Sequence, residues 1–153
     1  VSLISANNFT AKDFAMSHPS GSLGRRLLTL VSSIMNSGDG IPIVSKETLL
    51  IDSLLVMSEK ALGMVLVAEN EKLIGIFTDG DLRRALESNI DFQELAIGDV
   101  MTKDCKSIEP QEPALAAIQL MERYSLNSLP VVDSSNKIVG AINMHTLIQA
   151  KLF

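Results

Sequence analysis

The segment from Gly75 to Arg84 carries the sharpest chemical signal in the chain, Gly-Ile-Phe-Thr-Asp-Gly-Asp-Leu-Arg-Arg. Its pattern predicts an apolar strand that enters a tight turn at Thr78 and leaves it as a helix. Backbone N–H groups at a helix start favour an anion such as a phosphate. The same residues also fit a simpler role, a capping box in which Thr78 caps the helix and Asp81 answers it three positions later. The spacing alone leaves both interpretations open.

The ligand interpretation gives each polar side chain of this turn a task. Asp81 accepts hydrogen bonds from a ribose diol, as an acidic residue does in dinucleotide folds, Thr78 contacts the sugar or phosphate, and Asp79 is a third contact. Arg83 and Arg84 are expected in the first helical turn, where positive charge opposes the helix dipole, so they favour a nearby anion. The two aspartates also resemble a metal pair, but no further acid or histidine stands beside them, so no metal site is predicted.

A variant of this turn occurs near the end of the chain. Asn143 replaces Thr78, and Thr146 stands where Asp81 stood. A ribose is therefore expected to bind there more weakly, or through different contacts. His145 adds a titratable group, which is either an exposed helix residue or a contact to phosphate or carboxylate in a second half-cleft.

His18 is the other candidate for chemistry. It precedes a proline in a turn rich in serine and glycine, where a histidine suits a general acid or base. The other interpretation is a loop residue with a local hydrogen bond, and the residues alone favour it because the nearest acid is Asp13. The sequence contains no pattern of a Ser-His-Asp triad, no CxxC pair, no P-loop and no GxGxxG motif, so no known catalytic motif accompanies His18.

Composition excludes several classes of protein. The 153 residues are 46% hydrophobic and 20% charged, with a net charge of −5, which indicates a globular domain rather than a disordered chain. An acidic chain without tryptophan argues against nucleic acid, and no apolar run approaches the roughly 20 residues of a membrane span. Cys105 is the single cysteine, which suits a reducing compartment and predicts a cytoplasmic protein. Because the chain begins at Val1, we expect it to be a piece of a larger protein.

Two halves of the chain repeat the same order of parts. Gly75 and Gly140 each lie in an apolar strand and are 65 positions apart (140 − 75). Each unit reads as β-α-β-β-α, which predicts the α/β (α+β) class, and one such unit of about 60 residues is marginal alone, so the two should pack as a pseudo-twofold pair. The predicted elements are first strands at 43–44 and 107–108, hairpins 64–69 with 73–78 and 128–133 with 137–143, and closing helices 81–88 and 146–152.

Residues 1–34 stand outside the repeat and are predicted to form a helical linker, followed by domains over 35–90 and 97–153. A single helical face is expected from the apolar residues Leu23, Leu27, Leu30, Val31 and Ile34. Arg25 and Arg26 are expected on the opposite side of that helix.

These repeats resemble a pair of CBS domains from about Ser33 to the C-terminus. The family motif Gly-h-h-Thr-x-x-Asp, where h is apolar, matches Gly75, Thr78 and Asp81 without gaps. The resemblance implies that this threonine and aspartate bind the ribose and phosphate of adenine or other nucleotides. It also implies that the start of the first strand lines the base pocket, through Ile41, Pro42 and Val44.

The N-terminal segment around His18-Pro-Ser-Gly resembles the junction in bacterial arabinose 5-phosphate isomerases, where a sugar isomerase (SIS) domain passes into a CBS pair. That family interconverts D-arabinose 5-phosphate and D-ribulose 5-phosphate, at the entry to the lipopolysaccharide sugar Kdo, and places a histidine matching His18 in its isomerase site. Most of an SIS domain would precede this junction. We therefore expect no isomerase activity from the chain as given.

Two hypotheses follow from these resemblances. In the first, the CBS pair of a Gram-negative bacterial enzyme senses a nucleotide or nucleotide-sugar, with CMP-Kdo as a feedback ligand, through residues that include Asp79, Arg83, Arg84, Asn143 and His145. In the second, it is a structural oligomerisation module without a ligand. In either case the SIS domain and a second copy of the chain, as homodimer or homotetramer, are the expected partners.

Overall fold

The repeat is visible in the order of helices and strands. A computed structural model describes residues 21–152 and leaves the side chain of residue 22 undescribed. Its elements are α1 (Ser22–Leu28), α2 (Val31–Ile34), a 3-10 turn (Gly38–Gly40), β1 (Ile43–Ser45), α3 (Leu50–Lys60), β2 (Met64–Glu69), β3 (Lys72–Thr78), α4 (Asp79–Glu87), α5 (Ile97–Val100), α6 (Ala114–Arg123), β4 (Ser128–Val132), β5 (Ile138–Asn143) and α7 (Met144–Gln149). The first unit has the predicted β-α-β-β-α order, and the second has the same order except for its first strand. The predicted α/β class is confirmed.

Each unit is built on an antiparallel hairpin. Strand β2 pairs with β3 and strand β4 with β5, and each hairpin has a register shift at the corresponding place, after Val67 and after Val131. Strand β1 joins the first hairpin in parallel. In the second unit the corresponding residue, Ile108, makes a single parallel bridge to Val131. The first strand predicted at 107–108 is therefore reduced to one bridging residue.

The hairpins are buried on both faces, and this holds the two units together. On strand β2, Val65 and Val67 pack towards the helices of the first unit. Met64 and Leu66, which point the other way, belong to a central cluster that also contains Ile138 and other residues of the second unit. These four side chains, the first four of the six in β2, have no exposed surface. Burial of each stabilises the fold by about 1.5–3 kcal/mol.

The start of each unit lies across the sheet of the other unit. Asn36 pairs with Ala141 on β5, and Thr102 pairs with Ile76 on β3. Both contacts are reciprocal backbone pairs with N···O distances of 2.8–3.0 Å. A glycine next to each contact permits the close approach, because a Cβ at Gly75 would lie 2.8 Å from Cγ of a methionine in the crossing segment.

The N-terminal segment differs from the single helix expected over 23–34. It is two helices, α1 and α2, separated by extended backbone at Thr29 and Leu30. This break forms because the carbonyl of Thr29 accepts a hydrogen bond from the N–H of Ala114 at 2.8 Å. The expected apolar face is only partly buried, since Val31 has no exposed surface but Leu30 is 43% exposed.

Candidate functional site

A cavity of about 770 Å³ opens where β3 and β5 end and α4 and α7 begin. Both units contribute to its walls, because the pseudo-twofold arrangement brings the two strand ends to the same side of the molecule. The lining residues come from five stretches of the chain, 61–63, 76–84, 102–106, 124–128 and 143–145. A volume of this size is within the range that holds small-molecule ligands.

The end of β3 supplies a capping box at one side of the cavity. The N–H of Asp81 donates to the hydroxyl of Thr78 at 3.3 Å, and the N–H of Thr78 donates to Oδ2 of Asp81 at 2.9 Å. This arrangement satisfies two backbone donors at the start of α4. The capping-box prediction is therefore confirmed, and both side chains also line the cavity.

The carboxylate of Asp81 has further partners. The hydroxyl of Thr78 donates to Oδ2 at 3.2 Å, and the hydroxyl of Thr102, from the second unit, lies 3.3 and 3.4 Å from the two oxygens. Nη2 of Arg84 donates to Oδ1 at 2.6 Å. The side chain of Asp81 is 13% exposed and that of Arg84 is 71% exposed. The carboxylate is thus held from both units and by one solvent-exposed cation.

The two arginines are not placed as the sequence suggested. Helix α4 begins at Asp79, two residues before the predicted start, so Asp79 and Asp81 occupy its first turn and Arg84 its last. Acidic residues at this end suit the helix dipole, so the argument from arginines in the first turn is wrong. Arg84 does line the cavity, whereas Arg83 is exposed and lies outside its lining.

The opposite side of the cavity lacks the carboxylate. Asn143 caps α7 by accepting from the N–H and hydroxyl of Thr146 at 2.9 and 2.8 Å. The amide nitrogen of Asn143 donates to the carbonyl of Leu62, in the first unit, at 3.4 Å. His145 lies beside this cap and lines the cavity. The two sides therefore share their geometry and differ in charge.

Residues that sequence reasoning missed form the walls between these two sides. Lys106 lies 4.4 Å from the ring centroid of Tyr124, and both line the cavity with Asp104 and Cys105. Burial raises the pKa of the Cys105 thiol, and the nearby Asp104 acts in the same direction. The sequence does show that residues 102–106 lie near the start of the second unit. It does not show that the two units cross in a way that brings these residues beside Thr78.

Comparison with known proteins identifies the repeat. A family model for the CBS domain matches the chain twice, over residues 31–88 and 97–152. The chain belongs to the CBS domain family. The two units described above are therefore a tandem CBS pair.

Curated relatives of this CBS pair are longer proteins. The chain is 47% identical over 152 residues to "Arabinose 5-phosphate isomerase KdsD" of Francisella tularensis subsp. tularensis and 44% identical over 151 residues to KdsD of Escherichia coli K12. These matches cover 99% and 98% of this chain but 46% of each relative. The chain thus spans about half the length of the curated relatives it matches.

Solved CBS pairs share the fold. CBSX2 in complex with AMP superposes with a TM-score of 0.69 at 24% identity, over 81% of this chain and 96% of CBSX2. The CBS domain pair of protein MJ0100, in complex with 5′-methylthioadenosine and S-adenosyl-L-methionine, superposes with a TM-score of 0.69 at 23% identity, over 79% of this chain and 98% of that one.

The remaining residues that the CBS resemblance singled out lie elsewhere. Val44 is 8% exposed and packs in the core of the first CBS unit. Pro42 is buried, and its carbonyl accepts from the N–H of Leu66 at 2.7 Å. Ile41 packs against the central cluster between the units. The cavity that holds Thr78 is therefore not lined by these three side chains.

His18 lies outside the described residues. Within 21–152, no group of three or more histidine, cysteine, aspartate or glutamate side chains is arranged to hold a metal ion. No helix in that part of the chain combines the length and apolar character needed to cross a membrane.

Proposed function

We propose that this CBS pair binds a ribose-bearing nucleotide or nucleotide-sugar in the cavity between its units. The observation that carries the proposal is the pairing of Thr78 and Asp81 from one unit with Asn143 and His145 from the other around a single cavity. The hydroxyl and carboxylate supply hydrogen bonds for a sugar, and His145 supplies one for a phosphate or carboxylate. A ligand held from both sides depends on the relative position of the two units.

The neighbours in the fold family support this class of ligand. AMP is bound by CBSX2, and 5′-methylthioadenosine and S-adenosyl-L-methionine are bound by the CBS pair of MJ0100. The charges of the cavity favour few phosphates, because its lining contains three carboxylates, Asp79, Asp81 and Asp104, and two cations, Arg84 and Lys106. We therefore expect AMP to bind more tightly than ATP.

Binding is proposed to regulate an arabinose 5-phosphate isomerase. The identity to KdsD over nearly the whole chain supports a parent enzyme in which an N-terminal SIS domain interconverts D-arabinose 5-phosphate and D-ribulose 5-phosphate in the bacterial cytoplasm. His18 would belong to the site of that domain. CMP-Kdo, the activated end product of the Kdo pathway, is the proposed feedback ligand. Coupling of this kind is typically worth about 1–3 kcal/mol.

Calorimetry with AMP, ATP and CMP-Kdo tests the ligand proposal. The wild-type chain should bind at least one of them, and Asp81→Asn should weaken that binding because it removes the charge that holds the sugar. Asp52→Asn is a matched control, since Asp52 is an exposed acid in the first turn of α3 and lies outside the cavity lining. Absence of binding by all three compounds at millimolar concentration would overturn the proposal.

A second candidate function is a structural oligomerisation module. Among the described residues, the most exposed large apolar side chains are Leu55 on α3, Leu86 on α4 and Ile148 on α7, at 66%, 62% and 55%. Light scattering should then give a dimer or tetramer that nucleotides do not change. Leu55→Glu should dissociate it, whereas Ser134→Glu, at an exposed position in the turn between β4 and β5, is the control. A monomer at all concentrations would exclude this function.

A further inference from the structure

We propose that Arg84 occupies the ribose position on Asp81 when the cavity is empty and moves to the ligand phosphate when a nucleotide binds. The cavity would then select phosphorylated nucleosides over nucleosides. This inference rests on the proposed function and assigns a specificity-determining role to a residue outside the CBS motif.

The first step is that Asp81 has no acceptor capacity left for a diol. An ionised carboxylate offers about four lone-pair positions. The N–H and hydroxyl of Thr78, the hydroxyl of Thr102 and the guanidinium of Arg84 supply four donors within 3.4 Å. A ribose diol therefore binds Asp81 only after one of these donors leaves.

The second step is that Arg84 is the donor that leaves most easily. The donors of Thr78 belong to the capping box, and Thr102 is fixed by backbone pairing with Ile76. The side chain of Arg84 is 71% exposed and reaches the carboxylate through one nitrogen. Water and salt screen an ion pair at such an exposed position, so breaking it costs little.

The third step is that the guanidinium already lies at the cavity, beside the ribose position, before it is released. A Cβ built on Gly80 would lie 3.6 Å from both Nη1 and Nη2 of Arg84, so the guanidinium rests against the first turn of α4. A phosphate on the ribose that has replaced it would lie next to the same turn, within reach of that guanidinium. Arginine binds phosphate through two parallel hydrogen bonds.

This exchange predicts opposite effects of Arg84 on two ligands. A nucleoside displaces the guanidinium from Asp81 and offers the guanidinium no other anion to bind. A nucleoside monophosphate displaces it and provides a new partner. Removing the guanidinium should therefore help the nucleoside and harm the monophosphate, which a residue that only contacts the ligand would not do.

The test is calorimetry of AMP and adenosine with the wild-type chain, Arg84→Gln and the control Arg83→Gln. Loss of one charge-assisted phosphate contact should weaken AMP by about 10-fold or more in Arg84→Gln. Removal of an exposed ion pair from Asp81 should tighten adenosine by about 2–5-fold. Arg84→Lys, which keeps the charge, should retain part of the preference for AMP. Arg83→Gln should change both affinities by less than about 2-fold, because Arg83 lies outside the cavity.

Three results would count against the exchange. Unchanged or weaker binding of adenosine by Arg84→Gln would make Arg84 an ordinary contact, and equal effects of Arg84→Gln and Arg83→Gln would reduce its role to general charge. Either result overturns this inference and leaves nucleotide binding intact. Failure of the wild-type chain to bind any of AMP, ATP and CMP-Kdo would instead overturn the proposed function and, with it, the exchange. Circular dichroism of each variant checks that it is folded.

Discussion

The hydroxyl of Thr102 lies 3.3 Å from Oδ1 of Asp81, although the two residues belong to different CBS units. The contact arises because the backbone of Thr102 pairs with Ile76, two residues before the turn that carries the capping box. The second unit therefore completes the candidate site of the first. A change in the relative position of the units alters the surroundings of the Asp81 carboxylate.

Replacing Thr102 tests this contact. Thr102→Val removes one hydroxyl donor to a carboxylate that is 13% exposed. We expect a loss of about 0.5–1.5 kcal/mol in the free energy of unfolding, measured by urea denaturation. Thr102→Ser keeps the hydroxyl and should lose less than half as much. If both variants lose the same amount, the methyl group and not the hydrogen bond is what matters at this position.

Replacing Gly75 tests the crossing of the two units. A Cβ at this position would lie 2.8 Å from Cγ of Met101 and 3.1 Å from the carbonyl oxygen of Thr102. Gly75→Ala should therefore overpack the interface and lower the free energy of unfolding by about 1–3 kcal/mol. In the control Gly80→Ala, the nearest atoms are 3.6 Å away, so stability should be unchanged or raised. Wild-type stability of Gly75→Ala would mean that Met101 moves aside at no cost.

The fold was readable from the sequence wherever the pattern was local. Every strand end of the two hairpins was predicted to within one residue, because continuous apolar runs such as 64–67 are typical of strands buried on both faces. The helix break at Thr29 was missed because it depends on a hydrogen bond to Ala114, 85 positions away (114 − 29). The periodicity of apolar residues cannot predict a hydrogen-bond partner that is so far away in the sequence.

Only the local contacts of the candidate site could be predicted from the sequence, because the others depend on distant residues. The capping box of Thr78 and Asp81 has a fixed spacing of three residues, and the structure has it. The ion pair of Asp81 with Arg84 has the same spacing and was within reach of the helical (i, i+3) rule. The contributions of Thr102 and Lys106 depend on how the second unit crosses the first, which tertiary packing decides.

Asn143 provides a test of the second side of the cavity. Asn143→Ala removes the acceptor for the N–H and hydroxyl of Thr146 and the donor to the carbonyl of Leu62. Loss of such a cap should cost about 1–2 kcal/mol in the free energy of unfolding. Asn143→Asp keeps the acceptor and adds a charge that suits the helix start, so it should retain most of the stability. A loss equal to that of Asn143→Ala would assign the effect to the Leu62 contact instead.

The pKa of Cys105 predicts a pH dependence of its reactivity. Burial raises this pKa above its ordinary value of 9.0, and Asp104 acts in the same direction. Since the thiolate is the reactive form, alkylation by iodoacetamide at pH 8 should be slower in the folded chain than in urea. Because the folded state holds the thiol proton more tightly, the thiol contributes to the free energy of unfolding. This contribution is present below pH 9.0 and is lost as the pH rises through the pKa of the folded state. Cys105→Ser should remove that dependence.

The same thiol reports whether a ligand occupies the cavity. Cys105 lines it between Asp104 and Lys106, so a nucleotide bound there would cover the sulfur and exclude the reagent. We expect saturating AMP to slow alkylation of Cys105 by at least about 3-fold at pH 8.5, in proportion to the bound fraction. Asp81→Asn should lose this protection at the same AMP concentration, while Asp52→Asn should keep it. Protection that persists in Asp81→Asn would place the nucleotide away from Asp81, and an unchanged rate in the wild-type chain with AMP bound would place it outside this cavity.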